Sequence, residues 1–325
     1  MLSAMKKIIV TALLVLSQNS FAAESDNFTA RQLPLVDASE QVNALSNKYL
    51  KSAVNNLSDV GCNEEALYKE LRKVFANHSK GELSKDILYK NAVPIYSLPI
   101  KKSVYEEWEV ADGYLLGKKS AATSPLALSP LIKIGDQAIG VDKFEHMFGM
   151  GFDYFTKHHL NGKNIKLVLN YGGAMEKTIL GGNVFATGVF SYGDLSANFN
   201  GMRFWNHMLQ KDDDILGADQ NLGPYIVCQD KKWAVNEKNP IDFKNYIDAS
   251  MDESINCSKF AGTKAIKKFK ASVIRRGFVT TSGAAACPIE PEKLVEMKEK
   301  YKKSGVVNKI INSKGLGRVH YVKEF

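Results

Sequence analysis

Apolar residues in this chain recur at every third or fourth position and almost nowhere alternate, a pattern that commits most of it to helices. In "DASEQVNALSNKYLKSAVNNL", Val42, Leu45, Tyr49, Leu50, Val54 and Leu57 fall at helical spacing. In "NEEALYKELRKVFANHS", Asn63 stands as a cap, two acids fill the first turn, and Leu67, Leu71, Val74 and Phe75 share a side. Further helices are predicted over about 141–159, 164–180, 191–209, 242–256, 262–276 and 291–303. The stretches 93–139 and 211–240 read as irregular connections, and the final "GLGRVHYVKEF" as a short strand or docked tail. The expected architecture is mainly α, with at most minor β. One multi-helix domain spans 23–325, and the block 140–210 bears the site.

The amino terminus has the three parts of a secretory signal. Lys6 and Lys7 are followed by an apolar run from Ile8 to Leu16 and by the small-x-small site Ser20-Phe21-Ala22. Residues 1–22 are therefore expected to be removed. The apolar run is far shorter than the roughly 20 residues of a membrane helix, and no later segment is apolar enough to span a bilayer, so a periplasmic or secreted chain is expected. Loss of the two leader lysines lowers the formal charge from +8 to +6. That mild excess suits peptidoglycan, anionic lipid or another envelope polymer as partner; no nucleic-acid partner is expected. Cys62, Cys228, Cys257 and Cys287 contain no C-x-x-C pair, which excludes a zinc ribbon, and in an oxidising compartment they point to disulfides of unassigned connectivity.

Two ridges in the central block carry the candidate chemistry. At 100° per residue, Asp142, His146, Gly149 and Asp153 fall within a sector of roughly 60°. In "SYGDLSANFNGMRFWNHML", Asp194, Asn198 and Gly201 repeat the same D-x3-[HN]-x2-G spacing, flanked by Leu195 and Met202 and continued by Trp205. Ser196, Asn200 and Arg203 lie on the opposite side. An amphipathic helix turns its apolar stripe inward, so Asp194 and Asn198 are expected to be buried and to need partners. The glycines Gly149 and Gly201 would let the two helices approach closely. Between them, Glu176 sits among glycine pairs and apolar residues in "NYGGAMEKTILGGN".

One imidazole with two or three carboxylates can hold a divalent ion, zinc foremost, with Asp142, His146, Glu176 and Asp194 as ligands. Such an ion would activate water for hydrolysis. Without metal, His146 could act as general base, held by Asp142 or Asp194, with Glu176 as its acid partner. A third reading is a buried polar network that locks the helices together without chemistry, as in a non-catalytic envelope-binding or scaffold protein. Lys143 is expected to be solvated rather than paired with Asp142 or Glu145, His158 and His159 to cap a helix end rather than to bind metal, and His207 to lie at the surface or at an interface beside Trp205. The lysine-rich "KAIKKFKASVIRRGF" presents Ile266, Phe269 and Val273 inward. Asp248, Asp252 and Glu253 depart from EF-hand spacing, and no P-loop, G-x-S-x-G, H-E-x-x-H or Rossmann fingerprint is present.

The ordered set Asp142, Lys143 and His146, then Glu176, then Ser191, Asp194, Leu195, Asn198 and Gly201 resembles the D-K-x-x-H … E … S-x-x-D-L-x-x-N-x-x-G pattern of VanZ-like envelope proteins. It is similar also to a family of periplasmic lipoproteins with the same order of residues. The resemblance covers about 60 residues and implies a shared site, supported by Lys143, Ser191, Asn198, Gly149 and Gly201, and an envelope setting. It names no substrate. VanZ-like proteins are membrane-embedded and this chain reads as soluble, and no lipoprotein cysteine follows the cleavage site.

Overall fold

The helix at the centre of the molecule cannot be recognised as central from its own periodicity, because it has no solvent face. In the computed structural model, which describes residues 23–177 and 183–319, every residue from Tyr192 to Met208 of this helix is buried. A helix covered on all sides has no outer polar stripe. Ser196, Asn200 and Arg203, expected on an opposite, outer face, are therefore inside as well and are paired there. The predicted leader, residues 1–22, lies outside the described residues.

In chain order the elements are α1 (Asn27–Ala30), α2 (Ser39–Asn55), α3 (Glu64–Val74), α4 (Glu82–Tyr89), β1 (Leu131–Ile134), β2 (Gln137–Gly140), α5 (Asp142–Phe148), α6 (Met150–Phe155) and α7 (Ile165–Lys177). There follow α8 (Asn183–Ala186), β3 (Val189–Phe190), the central α9 (Tyr192–Leu209), β4 (Ile226–Gln229), β5 (Lys232–Val235), β6 (Lys259–Phe260), α10 (Thr263–Arg275), α11 (Pro291–Lys302), α12 (Val307–Ile310) and β7 (Gly317–Arg318). The chain is mainly α with minor β, as its periodicity implies.

Several boundaries differ from expectation for identifiable reasons. Gly149 interrupts the predicted helix 141–159, dividing it into α5 and α6, and a π-helical turn, Thr156–Leu160, follows. The segment 93–139 contains β1 and β2, an antiparallel hairpin turning at Gly135, whose φ of +59° favours glycine. Its strands of four residues are too short and too buried to show alternation. Within 211–240, β4 and β5 form a second hairpin, with Asp230 and Lys231 both at positive φ in the turn.

The predicted helix 242–256 is replaced by 3-10 turns at Phe243–Asn245 and Ala249–Met251. Asp242, Asp248 and Asp252 each accept a hydrogen bond from the backbone N–H two residues on, at Lys244, Ser250 and Ser254. These local bonds compete with a helical ladder. Helices α10 and α11 match their predicted spans within a residue or so. The terminal stretch contributes β7, which lies parallel to β6, itself antiparallel to β3.

Close backbone contact seats α9 against its neighbours. A Cβ on Gly201 would lie 2.2 Å from the Met147 carbonyl oxygen, and one on Gly151 would lie 2.6 Å from the Gly201 Cα. The glycine that admits α9 from the α6 side is thus Gly151; Gly149, expected in that role, instead marks the break between the helices. Phe75, Phe148, Phe204, Trp205 and Phe243 fill the core around this crossing. A second apolar cluster joins Phe28, Tyr105 and Trp108 to Phe260 and Phe269.

Disulfides Cys62–Cys228 and Cys257–Cys287 use all four cysteines. Among the described residues no helix is long and apolar enough to cross a membrane.

Candidate functional site

Ser191 caps α9: its Oγ accepts from the Asp194 N–H at 3.0 Å, which sets the first turn and turns the Asp194 carboxylate toward α5. On α5, the Asp142 N–H is held by Ser129 Oγ at 3.0 Å. Gly140 keeps space for the Asp142 carboxylate, since a Cβ there would stand 2.0 Å from Asp142 Oδ1. The two ridges meet. His146 Nε2 is 3.1 Å from Asp194 Oδ2, and His146 Nδ1 is 2.9 Å from Asn198 Oδ1.

Lys143 lies at the centre rather than in solvent. It is fully buried, and its ammonium donates to Asp142 Oδ2 at 2.8 Å, Asp194 Oδ1 at 2.6 Å and Glu253 Oε1 at 2.8 Å. The expectation of a solvated side chain fails because three carboxylates recover the cost of burying its charge. Glu253 also accepts from Ser191 Oγ at 2.8 Å, Ser25 Oγ at 3.3 Å and Ser258 Oγ at 3.2 Å. Glu24, beside this group, accepts from Thr187 Oγ1 at 2.7 Å.

The electrostatics follow from confinement. Burial pulls the His146 pKa down, but the Asp194 carboxylate, with Glu176 and Asp142 behind it, outweighs burial and raises it to about 9. Burial opposes ionisation of Asp194 too, yet His146 and Lys143 hold its carboxyl well below the usual carboxylate range. Asp142 and Glu253 are pushed up by burial in spite of Lys143. Glu24 is raised well above its ordinary value, by burial and then by the Glu253 and Asp194 charges.

Asp142, His146 and Asp194 each offer a ligand atom within 4.8 Å of the others. Two of the buried atoms here, Asp142 Oδ1 and His146 Nε2, have no well-directed hydrogen-bond partner; the 3.1 Å approach of Nε2 to Asp194 is off-line. The Asn198 amide oxygen, an acceptor, requires the proton of His146 to sit on Nδ1. Nε2 then faces the Asp194 carboxylate with either a second proton or a lone pair, and a lone pair there calls for a cation between them. The donor set of one imidazole and two carboxylates suits a divalent ion.

Glu176 is buried beside the triad rather than within it. Its Oε1 accepts from the Ser191 N–H at 3.3 Å, and its charge acts on His146. Of the residues predicted to serve the site, Asp142, Lys143, His146, Ser191, Asp194 and Asn198 are brought together. Gly201 serves the helix crossing. Glu253 and Glu24 were missed as site residues. The acids around Glu253 are visible in the sequence but have no ligand spacing, and Glu24 stands in the polar lead two residues past the predicted cleavage point.

His207, His158 and His159 lie elsewhere. His207 is fully buried, not at the surface, with Nδ1 2.7 Å from Tyr246 Oη and Nε2 3.0 Å from Asp214 Oδ2. Arg203 donates from Nε to both Asp214 oxygens and from a terminal nitrogen to Asn200 Oδ1. Asn200 donates to Tyr301 Oη, and Ser196 pairs with Ser250. His158 donates to the Lys163 carbonyl and His159 pairs with Asp212. On α10, Phe269 and Val273 are buried as expected. Part of its basic face is paired, with Lys268 on Glu109 and Asp112 and Arg275, with the following Arg276, on Glu106; Lys264, Lys267 and Lys270 are exposed. No protein-family profile, curated protein or solved structure matches the chain.

Proposed function

We propose that this is an exported cell-envelope protein that binds a divalent cation, zinc foremost, through Asp142, His146 and Asp194, and hydrolyses an envelope component. The observation that carries this reading is that Asp142, His146 and Asp194 bring one ligand atom each within 4.8 Å of one another, where Asp142 Oδ1 and His146 Nε2 are buried without a directed partner. Bound there, the cation would lower the pKa of a water and make it nucleophilic near neutral pH. Asn198 fixes the imidazole tautomer, and Lys143 orients both aspartates and limits their repulsion. Glu176, whose charge acts on His146, would take the proton released from that water. Two disulfides suit an oxidising compartment. The resemblance to VanZ-like envelope proteins favours peptidoglycan, anionic lipid or another envelope polymer as the material acted on.

Elemental analysis and equilibrium dialysis of the purified chain test the reading. About one tightly held divalent ion per chain is expected, absent from His146→Ala, with turnover on envelope extracts that depends on pH and on Glu176. No ion at any occupancy and no turnover would overturn it. A second reading, a structural ion cluster in a non-catalytic envelope-binding protein, draws on the three hydrogen bonds of Lys143 and the near-complete burial of the group. It predicts salt-sensitive co-sedimentation with peptidoglycan or anionic vesicles that Glu176→Gln leaves unchanged. Absence of binding at low salt would remove it.

A further inference from the structure

Glu253 reaches the ionic cluster from a loop rather than a helix, and that loop has its own covalent anchor. The stretch 252–258 is buried throughout, with turns over 253–257. Cys257 is bonded to Cys287. The Ile289 N–H donates to the Ser254 carbonyl at 2.8 Å, and Asn312 Nδ2 donates to the Cys257 carbonyl at 2.6 Å. Asn256 Nδ2 donates to the Ser250 and Ile310 carbonyls at 2.7 and 3.0 Å. Cys287 Sγ rests 3.7 Å from the Glu253 carbonyl oxygen and 3.6 Å from that of Ser254. The disulfide therefore bears directly on the backbone that carries the Glu253 carboxylate.

From Glu253 the ties run on into the site. Its Oε1 accepts from Lys143, and the same ammonium holds Asp142 Oδ2 and Asp194 Oδ1. Those bonds decide which carboxylate oxygens remain directed at His146. Were the loop released, Lys143 would lose one of three acceptors and Ser191, the cap of α9, would lose its own. The other disulfide, Cys62–Cys228, joins the turn between α2 and α3 to β4 and touches none of these groups.

We propose that Cys257–Cys287 is a positioning device for the cation site, so that the site is completed only when this pair is oxidised. The step is thiol–disulfide exchange with an external disulfide. Two thiols of the chain are oxidised and one S–S bond forms, while the external S–S bond breaks and its sulfurs leave as two thiols with the two protons. A reduced chain would hold Asp142, His146 and Asp194 without the orienting bond from Glu253. Binding, and any hydrolysis that depends on it, would then be confined to an oxidising compartment. The proposal rests on the cation reading above.

The test compares zinc binding by the parent chain with binding by two double variants, Cys257→Ser/Cys287→Ser and Cys62→Ser/Cys228→Ser. The first is expected to weaken binding about 10-fold or more, as loss of an outer partner of a metal site does; the second is expected to keep the parent affinity. Equal losses in both variants, or none in the first, would overturn the proposal. A second measurement does not depend on the variants folding. Under graded reduction with a phosphine, backbone amides of 189–195 and 250–258 should lose hydrogen-exchange protection in step with cleavage of Cys257–Cys287. Protection that survives cleavage would sink the proposal. If the oxidised parent binds no zinc, the cation reading fails by itself, and hydrogen exchange still judges the clamp.

Discussion

Removing the Lys143 ammonium would leave Asp142, Asp194 and Glu253 facing one another in a dry site. Lys143→Met is therefore expected to cost about 3–5 kcal/mol, the range for a buried pair stripped of one partner; urea unfolding checks it. His146 supplies a pH signature. Its pKa is raised from an ordinary 6.5 to about 9, so in the cation-free chain the stabilisation from its proton is complete below pH 6.5. It is lost as pH rises through about 9, a change on the order of 3 kcal/mol. Urea titrations at pH 6 and pH 10 measure it. Excess zinc should abolish the titration of His146 seen by nuclear magnetic resonance, because a coordinated imidazole carries no proton on Nε2. An imidazole that titrates alike with and without zinc would favour the structural cluster. Asn198→Ala, which frees the imidazole to rotate, should lower cation affinity by roughly 10–100-fold and is read by competition with a chelating dye.

Among the elements, the crossing of α5 and α6 over α9 has the least room. Gly201→Ala would set a methyl 2.2 Å from the Met147 carbonyl oxygen. The backbones would have to separate, at a cost of about 3 kcal/mol by the usual measure of overpacking, visible as a lowered urea midpoint. Gly140→Ala acts more locally, since its methyl would meet Asp142 Oδ1 at 2.0 Å and Ser25 Cβ at 2.7 Å. It should weaken cation binding more than it weakens the fold, a difference that parallel dialysis and unfolding would show. The paired spacing of Asp142 with His146 and of Asp194 with Asn198 was legible because each pair lies one turn apart on its own helix. That Gly151, and not Gly149, lets α9 approach was not, since the choice depends on where the first helix breaks. The tract 242–256 has a helix-like composition, yet its aspartates bond the backbone two residues on, and in such tracts local competition decides against the helix.

For the molecule as a whole, the two disulfides offer a way to test stability apart from site geometry. Cys62→Ser/Cys228→Ser should cost about 2–5 kcal/mol, the usual range for a lost native disulfide, without changing cation affinity; denaturant midpoints and dialysis on one preparation establish both. The surface charge reads differently once it is folded. Lys268 and Arg275 of α10, with Arg276 just past its end, are matched by Glu106, Glu109 and Asp112 from a distant loop, while Lys264, Lys267 and Lys270 stay exposed. Attraction to an anionic polymer at this helix would have to come from those three lysines.

The sequence by itself determined the helical class, most helix positions and the shared D-x3-[HN] spacing of two ridges, because helical periodicity and capping are local and repeat every few residues. It could not place Lys143 inside, nor bring Glu253 and Glu24 to it. Glu253 lies 110 residues from Lys143 along the chain, and no spacing rule links residues that far apart. It also could not reveal that α9 is covered on every side, since Ser196, Asn200 and Arg203 read as a solvent face until their partners are known. Only the tertiary structure decided these points, because whether a buried charge is tolerated depends on which opposite charges the fold brings within about 3 Å of it.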